Sequence, residues 1–174
     1  MKKIKLSVQY ADKNTDWEAL LPRAKLRSWV KAALQSDAAL TIRFVDELEA
    51  RTLNNEFRGK DYATNVLTFN YDDELDELPE EVRAAIQAER GDDASFVEAD
   101  IILCGAVLQK EALAQQKTLT EHAAHLVVHG VLHAQGFDHI DEDEATIMEN
   151  LEMQIVMGLG YANPYDDDNA SGLK

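Results

Sequence analysis

EHAAHLVVHGVLHAQGFDH, residues 121–139, holds all five histidines of the chain. Thr118 and Glu121 fit the S/T-x-x-E capping box, so a helix is expected to begin at this point. At about 100° per residue, His122, His125, His129 and His133 share one stripe about 80° wide. His129 and His133 lie about 6 Å apart along the axis, a spacing at which two imidazoles grip one ion, whereas His122 and His133, about 16 Å apart, cannot share one. Gly136 follows, where a glycine takes the left-handed conformation that ends a helix. Three residues on, His139 is swung back toward the pair. Three neutral nitrogen ligands with an open fourth position are the layout of a catalytic zinc site. A structural zinc site is normally closed by four ligands, mostly cysteines, and Cys104 is the sole cysteine here. His129, His133 and His139 are therefore the expected metal ligands, and one Zn2+ per chain the expected cofactor. His122 and His125 are read as packing or supporting groups, and Asp138 as an orienting group for an imidazole or a helix cap. Zinc proteases with this spacing carry Glu directly after the first histidine as general base, and that slot is Gly130.

Outward from the motif, the pattern is one of strands and helices in mixed order. Ile4, Leu6, Val8 and Tyr10 alternate with polar residues, as in a half-buried strand. Helical spacing runs from Trp17 to about Leu34, with Pro22 near its start. Strands are expected at Leu40–Val45 and Asn65–Tyr71, with a helix from Asp46 to about Phe57 between them. The apolar run Ala99–Cys104 suits a strand at the centre of a sheet. Helices are expected from Gly105 to about Gln116, Leu119 to Gln135 and Glu142 to Gly158. The expected fold is α+β: a single domain over residues 1–165, with a small mixed four-stranded sheet and about five helices, one of them a zinc-hydrolase-like helix carrying the histidines. Residues 166–174 read as a polar tail.

The chain has 174 residues, 45% apolar, which suits one compact core. Its net charge of −16 at first argues against a nucleic-acid partner. Residues 71–100, however, hold twelve acids and two bases, so that segment alone carries −10 and the remainder is only mildly acidic. The stretch 71–98 reads as an acidic, solvated surface segment, with a short helix at EEVRAAIQAER. No run approaches the roughly 18 apolar residues of a membrane span, and the start of the chain alternates like a strand rather than forming a signal-peptide block. A reduced, cytoplasmic setting is expected from the single cysteine.

HGVLHAQGFDH closely resembles HGxLHLxGyDH, the signature of the YbeY family of bacterial endoribonucleases. LNNEFRGKDYATNVLTFNY resembles that family's LNxxyRxxdxpTDVLSFp. ADIILC stands where the family has GDIvis, and MENLEMQIVMGLGYANPY is similar to its closing helix and NPY. The resemblance implies a zinc-dependent endoribonuclease cleaving single-stranded RNA, acting in 3′-end maturation of small-subunit ribosomal RNA and in ribosome quality control. It implies ribosomal RNA precursor, the small subunit and assembly proteins as partners, and the lack of a long apolar run adds the expectation of no membrane partner. It places Arg58 on an arginine that is catalytic or binds substrate. A guanidinium suits that role, being always charged and matched to phosphate oxygens. Lys60 and Arg51 are further candidates for phosphate contact. Asn65 replaces the family's Asp, Ala99 replaces its Gly, and the acidic stretch is longer. The alternatives are an assembly factor with a mainly structural metal, or another metal-dependent hydrolase.

Overall fold

The computed structural model describes residues 3–71, 79–90, 97–137 and 141–165, with backbone alone at 86, 87, 89 and 90. In chain order the elements are β1 (Ile4–Tyr10), α1 (Trp17–Leu20), α2 (Arg23–Ala33), β2 (Ala38–Val45), α3 (Glu47–Arg58), β3 (Val66–Asn70), α4 (Glu80–Arg90), β4 (Val97–Cys104), α5 (Gly105–Ala114), α6 (Leu119–Ala134) and α7 (Glu142–Gly158). The α+β architecture and the four-stranded mixed sheet are as expected. The described residues form seven helices rather than about five. One reason is Pro22. It lacks an N–H and disfavours helical backbone in the residue before it. Leu21 accordingly sits at φ −133°, ψ 76°, and the expected helix from Trp17 breaks into α1 and α2, with Pro22 as the N-cap of α2. The other is that EEVRAAIQAER forms a full helix, α4.

The strand order is β1-β2-β4-β3, with β1, β2 and β4 parallel and β3 antiparallel on the β4 edge. β4 is thus internal, as its apolar run requires. Successive side chains of a strand face opposite ways, so its run divides between two cores. Ala99, Ile101 and Leu103 join Leu40, Ile42 and Phe44 under α2, α6 and α7. Ile102 and Cys104 join Val45 and Leu67 under α3, with Ala50 of that helix. The sheet is therefore covered on both faces near β3, with α6 on one side and α3 on the other.

α6 is the central helix. Leu126, Val127, Val128, Val131 and Leu132 are buried, and the helix touches α2, α5, α7, β3 and β4. A helix apolar on most sides is one surrounded by protein. Each such side chain contributes about 1.5–3 kcal/mol on burial. The helix begins at the expected capping box: Thr118 Oγ1 accepts from Glu121 N–H at 3.1 Å, and the Glu121 carboxylate reaches back to Thr118 N–H.

Candidate metal centre

α6 crosses β3 closely because of Gly130. A Cβ there would sit 3.0 Å from Ile101 Cγ2 and 3.4 Å from Thr68 Oγ1, so even a methyl group would press on Ile101 more tightly than ordinary contact allows. The slot that carries a general base in zinc proteases thus points into the core in this fold. Lower down, Asn70 Nδ2 donates to the Ala134 carbonyl at 2.6 Å and ties the end of β3 to the last turn of α6. Gly136 then takes φ 97°, the left-handed region expected of it, with its N–H bonded to the His133 carbonyl at 3.0 Å.

His129 and His133 are half-buried on successive turns, their ring centroids 4.5 Å apart and nearly perpendicular. The two imidazoles are neighbours one turn apart, as their four-residue spacing on a helix predicts. The third expected ligand, His139, lies outside the described residues, as does Asp138. Among the described residues, no group of three His, Cys, Asp or Glu side chains is gathered as a metal site.

Behind His129 stands a group the sequence reading missed. Glu152 of α7 is 1% exposed, and its Oε1 accepts a hydrogen bond from His129 Nδ1–H at 2.6 Å. A carboxylate only accepts, so this bond fixes the proton on Nδ1 and the lone pair on Nε2. Zinc-ligating imidazoles are oriented in this way. The same carboxylate accepts from the Tyr165 hydroxyl at 2.5 Å and lies 3.3 Å from His125 Nε2. Burial alone would raise the Glu152 pKa. Hydrogen bonds from His125, His129 and the Tyr165 hydroxyl outweigh it and hold the carboxyl down at about 2. Burial and the neighbouring Glu152 push the Tyr165 hydroxyl up, so it stays a donor. A legible signal for Glu152 exists: Met148, Glu152 and Val156 are the buried residues of α7, spaced by four, so one carboxylate interrupts an apolar stripe.

His122 and His125 each face a carboxylate of a neighbouring helix, Glu111 and Glu152. His122 is 3% exposed, and its Nε2 lies 2.8 Å from Glu111 Oε1. Its Nδ1 has no hydrogen-bond partner among the described residues. Burial lowers the His122 pKa, with Glu111 opposing only in part. Asn65 belongs to this cluster. Its Nδ2 donates to both Glu111 oxygens, at 3.1 and 3.3 Å. An aspartate there would set a second carboxylate against Glu111, so the amide suits its neighbour. Ala99 is 1% exposed within β4, paired with Leu40 of β2 and Asn70 of β3.

Arg58 is the last residue of α3 and is exposed. No hydrogen bond or ion pair joins it to either histidine among the described residues, and its helix packs on the opposite face of the sheet from α6. Lys60 is exposed two residues on. Arg51 differs from the expectation: its guanidinium fork is engaged by Asp61, at 2.7 and 3.0 Å to the two carboxylate oxygens. Across the described residues, no helix is long and apolar enough to cross a membrane.

The family model described as endoribonuclease YbeY matches residues 7–160. A protein of that name from Janthinobacterium sp. (strain Marseille) is 52% identical over 163 residues, covering 94% of this chain and 95% of the relative. Another from Herminiimonas arsenicoxydans is 53% identical over 163 residues, covering 94% and 96%. The solution structure of TM1509 from Thermotoga maritima is 25% identical with a TM-score of 0.48, over 91% of this chain and 93% of that one.

Proposed function

The chain belongs to the endoribonuclease YbeY family, and we propose on that basis that it is a zinc-dependent, single-strand-specific endoribonuclease of small-subunit ribosomal RNA 3′-end maturation and ribosome quality control. The observation that carries the metal part of this reading is the His129 Nδ1–H···Glu152 bond of 2.6 Å beside a second imidazole at 4.5 Å. Together with His139, His129 and His133 would hold the ion. The donor set fits zinc: neutral imidazoles, one already oriented by a buried carboxylate. Zinc, when bound, supplies Lewis acidity toward water or a phosphoryl oxygen.

The chain's own groups account for the remainder. Glu152 fixes the tautomer and angle of His129 and is itself fixed by Tyr165. Arg58, next in the chain to Phe57 that packs on Phe69 of the edge strand β3, supplies from that edge a permanent positive charge for the phosphate, whose negative charge grows as cleavage proceeds. Lys60 adds a phosphate contact from the same turn. Ribosomal precursor RNA is the substrate, the small subunit and its assembly proteins are the partners, and the cytoplasm is the setting.

The test is cleavage of a ribosomal precursor RNA carrying its unprocessed single-stranded 3′ end. Zinc-loaded, chelated and re-metallated protein are compared with Arg58→Ala checked for fold and zinc content. Cleavage is expected to need the metal and to fall about 10²–10³-fold without Arg58, the scale of losing one charge-stabilising group. Intact RNA with folded, zinc-loaded wild type would replace this reading with that of an assembly factor.

A further inference from the structure

We infer that Phe57 and Tyr62 form a stacking surface for single-stranded RNA on the far side of β3 from the histidine helix; this rests on the nuclease reading above. Both are large aromatics left in water, Phe57 59% and Tyr62 54% exposed. Around them are Arg58 and Lys60. Residues 51–62 carry three cations (Arg51, Arg58, Lys60) and two acids (Glu56, Asp61), against the −16 of the whole chain. Arg51 neutralises Asp61 through both of that residue's oxygens. Exposed rings beside cations that make no ion pair among the described residues are what a single strand needs: a flat face for a base and charge for the phosphates.

The surface is built rather than loose. Asn54, 2% exposed, donates from Nδ2 to the Tyr62 carbonyl at 2.9 Å, and its own carbonyl accepts from Lys60 N–H at 3.3 Å. The Arg51–Asp61 fork closes the same turn from outside. Phe57 leans edge-on against Phe69 of β3, with centroids 5.1 Å apart.

That contact also locates the surface relative to the metal ligands. Phe69 precedes Asn70, which is bonded to the Ala134 carbonyl, the residue next to His133. β3 is the edge strand, so one strand separates the aromatic surface from the ligand-bearing end of α6. A strand of RNA stacked on Phe57 and Tyr62 therefore has a short path around the β3 edge to the histidines.

The experiment is fluorescence anisotropy on zinc-loaded protein, with a labelled 2′-O-methyl, phosphorothioate-linked oligoribonucleotide that resists cleavage. Tyr62→Ala and Phe57→Leu remove the flat rings, the leucine keeping apolar contact with Phe69. Each is expected to weaken single-strand binding about tenfold with an unchanged salt slope, while Tyr62→Phe binds as wild type. Lys60→Ala is expected to reduce the salt slope instead. A duplex of the same sequence should be insensitive to the aromatic changes. Folded Tyr62→Ala and Phe57→Leu proteins that bind the single strand as wild type does would overturn the stacking surface and leave the nuclease reading standing. Equal losses on duplex and single strand would overturn it too. A wild type that neither binds nor cleaves single-stranded RNA would remove the nuclease reading, and this inference with it.

Discussion

A carboxylate buried to 1% exposure survives in α7 because three donors face it: His129, His125 and Tyr165. Buried charge without partners costs several kcal/mol, so these contacts are a condition of its presence. Glu152→Gln keeps the shape but makes the group neutral and weakens its grip on His129 Nδ1–H. Zinc affinity should drop about 10–100-fold, read by competition with a chromophoric chelator. An unchanged affinity would show that Glu152 has no part in orienting the ligand. His122 makes a different prediction. Its folded pKa is lowered, first by burial, so the unfolded chain binds the proton more tightly. Its contribution to stability is complete above the unfolded value of about 6.5 and is lost as pH falls below it. Denaturant melts of wild type and His122→Gln should therefore converge as the buffer is taken from neutral to mildly acid. A constant gap between them across that range would contradict the sign.

At the scale of elements, most of the chain was readable. The four strands, the capped histidine helix and the acidic-segment helix stand where periodicity and capping place them. The failure at Pro22 is instructive. Apolar spacing continues at helical period through it, yet a proline at the sixth position of a helix removes a hydrogen bond and crowds the preceding turn. Spacing reports which face is buried, and it is blind to a break that keeps the face. Asp138 was one candidate cap for the closing helix; in the structure α7 is capped by Asp141, whose Oδ1 accepts from Glu144 N–H at 2.8 Å.

At the scale of the molecule, α1 and α5 meet where Gly105 lies flat against Trp17, itself 1% exposed and stacked on Phe44. A Cβ on Gly105 would fall inside the indole ring. Gly105→Ala should thus cost about 1–3 kcal/mol or more, read as a lower denaturation midpoint, although alanine is the better helix former. A variant as stable as wild type would show that the α1–α5 junction yields at little cost. By itself the sequence determined the α+β class, the helix bearing His129 and His133, and the left-handed turn at Gly136, because period, caps and glycine act over a few residues. Only the tertiary structure decided that Glu152 lies behind His129, that Glu111 joins Asn65 to His122, that Asp61 occupies Arg51, and that Phe57 and Tyr62 stay in water one strand away from the histidines. Those pairings span up to 46 residues along the chain and depend on how helices settle on the sheet, and local periodicity carries no record of which distant side chain will stand opposite.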